Sequence, residues 1–195
     1  MEFTPFPKLS RWSRDIVVTE KIDGTNACIC IEDLEGAYAD GDKSIIYVDG
    51  GLAMRAGSRT RWITPEDDNH GFARWAHEHK DDLMLLGPGQ HFGEWWGKGV
   101  QRNYAQPVRR FSLFNSVRWA DAATRPACCE VVPVLYQGPM FPGVMEKYIR
   151  QIEQTGSMAA PGFMDPEGVV LYHTAAGIAF KKTVKKDESP KGIAA

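Results

Sequence analysis

Short apolar runs separated by turn-forming residues dominate the chain. Asp15 to Ile22 (DIVVTEKI) and Asn26 to Ile31 (NACICI) are β-branched or alternating. Asp23-Gly24-Thr25 lies between them, so the segment reads as strand, turn, strand. Ile45 to Val48 sits among the glycines and acids between Asp40 and Gly57, which predicts a hairpin and a surface loop. From His70 to Leu83, Phe72, Trp75, Ala76 and His79 recur with the one-sided spacing of an amphipathic helix. A second helix is expected after Pro142, where Val144, Met145, Tyr148, Ile149 and Ile152 share a face and Gly156 supplies a stop. His91 to Trp96, Arg110 to Val117, Glu130 to Tyr136, Gly168 to His173 and Gly177 to Val184 read as strands. Strands outnumber helices and do not alternate with them as βαβ units. The expectation is therefore a mostly antiparallel α+β fold, not a doubly wound sheet.

Composition narrows this picture. The chain has 195 residues, 43% hydrophobic and 25% charged, which suits one globular domain with a real core. With no linker or repeat visible, residues 1–195 are expected to form a single domain, with a mobile tail from Lys185 to Ala195. No apolar run approaches the roughly 18 residues of a membrane span and the first residues lack a signal-peptide core, so a soluble, cytoplasmic protein is expected. The net charge of −2 argues against a surface basic all over. Locally, Lys98, Arg102, Arg109, Arg110, Arg118 and Arg125 face only one acid, Asp121, and are interleaved with Trp95, Trp96, Tyr104, Phe111 and Trp119. Such a segment either binds a nucleic acid through phosphates and stacking or is a solvated basic face with its aromatics in the core. Cys28, Cys30, Cys128 and Cys129 lack the C-x-x-C spacing of a zinc site and read as buried or free thiols.

The stretch richest in chemistry is Thr19-Glu20-Lys21-Ile22-Asp23-Gly24-Thr25-Asn26. Alone, a strand-end lysine two residues before Asp-Gly reads as a surface lysine beside a hairpin turn. Four further groups follow: Gly57-Ser58-Arg59-Thr60, Phe92-Gly93-Glu94-Trp95-Trp96, Phe111-Ser112-Leu113-Phe114, and Asp165-Pro166-Glu167-Gly168-Val169-Val170-Leu171. Ala179-Phe180-Lys181-Lys182 completes the series. In this order the set resembles the motif series of the covalent nucleotidyltransferases, the polynucleotide ligases and mRNA capping enzymes. Within them it most resembles the ATP-dependent RNA ligases of the RNA ligase 2 family. Asn26 in K-x-D-G-x-N is similar to RNA ligases, where DNA ligases and capping enzymes usually have arginine.

The resemblance implies an adenylyltransferase (ATP-grasp-like) domain of mostly antiparallel sheets flanked by helices. It also implies an enzyme that joins 5′-phosphate and 3′-hydroxyl RNA ends through a lysyl-AMP intermediate, with ATP as AMP donor and Mg2+ or Mn2+ as metal. Lys21 would be the nucleophile. An ordinary lysine, with a pKa near 10.4, is neutral in only about one molecule in 2,500 at pH 7, a handicap of about 4.6 kcal/mol. A nearby cation reduces it, and Lys181 is the candidate, neutralising charge on the α-phosphate as well. By resemblance Phe114 stacks on adenine, with Phe111 on the opposite strand face. Glu94 receives a ribose hydroxyl, and Arg59, flanked by Arg55 and Arg61, lies near sugar and phosphate. Glu20 sits near the adenine and Asn26 near the phosphate or RNA end. Glu167, with Asp23, would hold the metal through water.

Two features depart from the family. Where it usually reads K-x-K, the chain has Lys181-Lys182-Thr183, and Lys182 would face away from Lys181 because strand side chains alternate. Lys185 or Lys191 is then the candidate for the second lysine. Only a short segment follows Lys181, so neither an OB-fold nor a C-terminal helical domain is expected, and a protein partner supplying RNA contacts would suit such a form. The rival readings are a DNA ligase or capping-type transferase and, in another class, a non-catalytic nucleotide- or RNA-binding module.

Overall fold

A computed structural model describes residues 1–34, 42–185 and 187 of the chain. Of the expected mobile tail only Lys185 and Asp187 are among the described residues, and Lys191 lies outside them. In chain order the strands begin with β1 (Asp15–Lys21), β2 (Thr25–Asp33), β3 (Ile45–Asp49), β4 (Leu52–Gly57) and β5 (Trp62–Ile63). Helices α1 (Phe72–Glu78) and α2 (Lys80–Met84) follow, then β6 (Gly89–Gly97), β7 (Arg109–Leu113), β8 (Cys129–Val131) and β9 (Val134–Pro139). Helix α3 (Val144–Thr155) precedes β10 (Gly168–His173) and β11 (Ile178–Thr183). The mostly antiparallel α+β fold expected from the sequence is the fold observed. The chain divides into two compact units, one of residues 1–21 with 134–195 and one of residues 22–133.

The first unit is a four-stranded antiparallel sheet in the order β11-β10-β1-β9. Ile16 and Val18 of β1 pair with His173 and Leu171 of β10. That face packs against Val144, Tyr148, Ile149 and Ile152 of α3, the stripe read from the sequence. Gly156, at φ 78°, ends the helix as expected.

The second unit holds the order β3-β4-β2-β6-β7-β8, with β5 added on β4. One face carries Ala27, Ile29, Ile31, Met54, Ala56, Trp95 and Phe111 into a core shared with Phe72, Ala76 and Leu83 of α1 and α2. The expected hairpin is β3-β4. It turns through Gly50 and Gly51, both at positive φ (53° and 81°), a geometry that glycine adopts without steric cost.

The structure corrects several expectations. Strands β1 and β2 do not pair with each other. Strand β1 lies between β9 and β10, and β2 between β4 and β6, so Asp23-Gly24 passes the chain from one sheet to another and is not a hairpin turn. The helix expected over 70–83 is two, broken at His79. There the Trp75 carbonyl meets both the His79 backbone N–H (3.0 Å) and its ring Nδ1 (2.9 Å), and backbone torsions leave the helical range. The strand expected over 130–136 divides at Val132-Pro133, where proline lacks the N–H a central strand donates. Strand β8 then pairs with β7 in parallel, the exception in an otherwise antiparallel arrangement.

The aromatics of the basic segment belong to the core. Trp95, Trp96, Tyr104, Phe111 and Trp119 are all buried. Its arginines are spent internally: Arg109 on the His70 and Lys98 carbonyls, Arg110 on Glu130, Arg125 on the Trp119 and Cys129 carbonyls. No helix among the described residues is long and apolar enough to cross a membrane.

All four cysteines are free thiols. Burial pushes Cys28 up to about 12 and also raises Cys30, while the Cys129 thiol is raised by its bond to Cys128 and by burial. Cys128, half-buried with Sγ 3.9 Å from that of Cys129, is lowered by the same bond. Since the thiolate is the reacting form, Cys128 is expected to be alkylated first when the folded protein meets iodoacetamide at pH 8, with Cys28 protected until unfolding. Mass mapping of the first adduct checks this; a first adduct on Cys28 would contradict it.

Candidate active site

Lys21 ends β1, where its partner across the ladder is Gly168 at the start of β10. Its Nζ donates to Glu167 Oε2 at 2.6 Å, and Glu167 is only 3% exposed. The strand-end lysine and the carboxylate that opens β10 are thus brought together by strand pairing although 146 residues separate them. Lys181 lies level with Val170, which in turn lies level with Thr19, so Lys181 projects from the same sheet face as Thr19 and Lys21. Two strand spacings and two residues of offset put the Cα atoms of Lys21 and Lys181 about 12 Å apart. Lys181 is exposed and has no ion pair among the described residues. Lys182 faces the other way, as alternation requires, and its Nζ reaches Glu146 of α3 (3.7 Å) and Asp187 (3.6 Å). Lys185 pairs with Asp165 at 2.7 Å.

Glu20 points to the buried face of the same sheet and is 1% exposed. Its Oε1 accepts the Ser157 hydroxyl at 2.5 Å, and its Oε2 accepts the N–H groups of Met158 (2.8 Å) and Ala159 (2.9 Å). Both oxygens are therefore engaged in holding the 157–160 loop, a role no sequence pattern announced.

In the second unit, the Asp23-Gly24 turn is built by side chains from distant parts of the chain. Glu94 Oε1 accepts the Gly24 N–H at 3.0 Å. The Tyr104 hydroxyl accepts the Asp23 N–H at 2.8 Å, and Arg102 Nε donates to Asp23 Oδ2 at 3.0 Å. Gln101, Asn103, Tyr104 and Ala105 all have positive φ, between 43° and 62°, a conformation uncommon outside glycine, so the backbone of this loop is strained where it presents Tyr104 and Arg102. At Gly24 a Cβ would stand 2.4 Å from the Trp95 carbonyl oxygen and 2.8 Å from Trp96 Cβ. Gly24→Ala is expected to cost about 2 kcal/mol or more, because a backbone carbonyl and a buried tryptophan cannot yield as a flexible side-chain tip can. A thermal melt reads this; an unchanged midpoint would contradict it.

The face of this sheet opposite the core carries the remaining candidates. Asn26 lies beside Glu94, Cys28 beside Phe92, and Cys30 beside Gln90. The Phe114 N–H bonds to the Phe92 carbonyl at 2.9 Å, which puts the two rings on neighbouring strands. Phe111 is fully buried and Phe114 is 40% exposed, so the alternation read from the sequence sorts the two phenylalanines as expected. Asn26, Gln90, His91, Phe92, Phe114 and Arg118 are among the residues lining a cavity of about 420 Å³. Burial lowers the His91 pKa, which keeps its ring neutral; its Nε2 is 2.9 Å from the Gly87 carbonyl, so that nitrogen carries the proton. Arg59 lines an adjoining cavity of about 300 Å³. Of the three neighbouring arginines, Arg55 is tied to Glu32 and Asp42, and Arg61 to Asp67, leaving Arg59 as the one with no ion pair among the described residues. Phe92 and Gln90 were not singled out from the sequence. The signal was available, since both alternate with Glu94 along one strand.

With this geometry in view, the comparisons with known proteins are decisive as to family. The RNA ligase family profile matches residues 14–186. The chain belongs to the RNA ligase family. A lysine-to-alanine mutant of the Naegleria gruberi RNA ligase, solved with ATP and Mn, resembles it with a TM-score of 0.57 at 17% identity over 91% of this chain and 52% of that one. A lysine-to-methionine mutant of the same ligase, with AMP and Mn, gives a TM-score of 0.57 at 16% identity, covering 88% of this chain and 50% of the other. This RNA ligase family member thus spans about half the length of the solved structures it matches, and at such identity they establish its fold. A comparison with curated proteins gave no match.

Among the described residues no three His, Cys, Asp or Glu side chains gather as a metal cage. One buried carboxylate beside a lysine instead fits a magnesium ion that keeps its waters and is carried by nucleotide phosphates.

Proposed function

We propose that this chain is an ATP-dependent RNA ligase of the RNA ligase 2 type, cytoplasmic, with residues 1–195 as its adenylyltransferase domain. The observation that carries the reading is the Lys21–Glu167 pair at the paired ends of β1 and β10, inside a family match that spans nearly the whole chain. Lys21 of the K-x-D-G-x-N stretch and Glu167 of the Asp165–Leu171 group are already in contact.

In the first step the Lys21 amine, having lost a proton, forms a bond to the α-phosphorus of ATP as the bond to pyrophosphate breaks. Lys181, on the same sheet face and unpaired by any carboxylate among the described residues, offsets negative charge developing on that phosphate. Phe114 stacks on the adenine, Glu94 receives a ribose hydroxyl, and Arg59 and Asn26 hold phosphate. Glu20 acts on the nucleotide through the 157–160 loop it anchors. Glu167, and Asp23 where it can share its carboxylate with Arg102, would hold hydrated Mg2+ or Mn2+, which supplies charge neutralisation at the phosphates. In the second step an oxygen of the RNA 5′-phosphate takes the AMP and Lys21 leaves; in the third, the 3′-hydroxyl attacks that activated end and AMP departs. Positioning and charge neutralisation account for most of such catalysis.

The test is incubation of the full chain with α-labelled ATP and magnesium, followed by denaturing electrophoresis. The protein is expected to retain label from ATP and to join 5′-phosphorylated RNA. An unlabelled protein would overturn the reading, and equal labelling from GTP would point to capping chemistry.

A further inference from the structure

The open face of the second unit's sheet contains a second aromatic-walled compartment beside the Phe114 cavity. Trp62, Gly57, Cys28, Phe92 and Phe114 stand level with one another across β5, β4, β2, β6 and the residue after β7, a single row of side chains running over five strands. Large rings occupy the ends of the row, and the two smallest side chains its middle. Gly57 is what allows this: a Cβ there would lie 3.3 Å from the Trp62 ring, so the indole leans over the glycine. Between Trp62 and Phe92 lies the cavity of about 300 Å³, floored by Gly57 and Cys28 and rimmed by Gln90 and the Ser58–Arg61 turn. Trp62 is 41% and Phe92 46% exposed, so both present aromatic surface to solvent on the same face of the sheet.

The chemistry of the compartment selects its occupant. Its floor carries no charge, because burial keeps the Cys28 thiol protonated. Its walls are the Trp62 and Phe92 side chains, with the Arg55 guanidinium over the Trp62 ring 5.9 Å from its centroid; Gln90 adds an amide to the lining, and Arg59 lies in a turn closed by the Ser58 N–H bond to the Arg61 carbonyl (2.8 Å). A flat, neutral, hydrogen-bonding ring attached to an anion fits this set, and an aliphatic or acidic ligand does not. Phe92 is shared with the Phe114 cavity, so the two compartments are neighbours separated by one ring.

We propose that the Trp62–Phe92 compartment is a nucleoside subsite for the RNA strand, in which a base stacks on Trp62. This rests on the ligase reading for the identity of the Phe114 cavity as the ATP site, but binding of RNA at Trp62 can be measured without turnover.

The experiment is fluorescence anisotropy of the full chain with a fluorescein-labelled, 5′-phosphorylated RNA, and with the same RNA carrying an abasic nucleotide at each end position in turn. Base-on-aromatic stacking is worth about 1–3 kcal/mol, so Trp62→Ala is expected to weaken intact RNA roughly 5- to 150-fold and Trp62→Phe to recover most of the loss. At one end position the abasic RNA should bind wild type as weakly as intact RNA binds Trp62→Ala, with no further loss when the two changes are combined. A merely structural role for Trp62 would weaken intact and abasic RNA alike, and that result, or unchanged affinity in Trp62→Ala, overturns the proposal. If Trp62→Ala does not fold, the abasic series on wild type and Trp62→Phe carries the same test: equal binding of intact and every abasic RNA overturns it. Failure of wild type to retain label from ATP would sink the ligase reading without altering these binding results.

Discussion

Lys21→Ala is expected to retain no label from α-labelled ATP, with residual labelling at least roughly 1,000-fold below wild type, because no other amine replaces a covalent nucleophile in the same place. Lys182 and Lys185 are committed to carboxylates elsewhere, and Lys181 projects from a different strand. Lys21→Arg sharpens the result. A guanidinium keeps the positive charge and can still pair with Glu167, but it stays protonated and does not attack phosphorus, so Lys21→Arg should fold as wild type and also fail to label. Joining of RNA ends pre-adenylylated by chemical synthesis should persist in both variants, since the last step draws its leaving group from the RNA and no longer needs the lysine. Label retained by Lys21→Arg would remove Lys21 from the role of nucleophile.

The largest expected effect on stability belongs to Glu20→Ala. Three donors lose their acceptor at once, the Ser157 hydroxyl and the Met158 and Ala159 N–H groups, around a carboxylate that is 1% exposed. At about 1–3 kcal/mol for each buried group left unsatisfied, less what entering water recovers, the cost is about 3–4 kcal/mol. For a chain of this size that lowers the melting midpoint by about 10 °C. Glu20→Gln keeps one acceptor oxygen and should lose about half as much. A melt within 2–3 °C of wild type for Glu20→Ala would show that the loop does not depend on the carboxylate. A fall in ATP affinity for Glu20→Gln larger than its loss of stability explains would place Glu20 in direct contact with the nucleotide.

Much of the fold was legible because it rests on short-range patterns. The α3 stripe and its Gly156 stop, the β3-β4 hairpin, and the placing of Phe111 and Phe114 on opposite faces follow from side-chain periods of 3.6 and 2 together with turn chemistry, whereas the choice of Phe114 for the open face came from the family resemblance. Failures occurred where a local pattern admits two long-range outcomes. Asp23-Gly24 is as good a hairpin turn as a crossing between sheets, and what decides is whether β1 finds β9 and β10 or β2. Likewise arginines interleaved with aromatics describe a nucleic-acid face and a packed core equally well, until carbonyls 11 and 39 residues away claim Arg109.

For this protein the sequence by itself determined the α+β class, the nucleophile candidate Lys21 and the ordered set of charged and aromatic residues that marks the RNA ligase family. Those are statements about residue identity, spacing and local period. Only the tertiary structure decided that Glu167 contacts Lys21, that Glu20 is fully engaged by the 157–160 loop, that Arg59 rather than Arg55 or Arg61 has no ion pair among the described residues, and that Trp62 and Phe92 wall a second compartment. Each of these depends on strand register or on which of several equivalent partners a charge reaches first. Such choices are made by burial and geometry over distances in sequence that no local pattern spans.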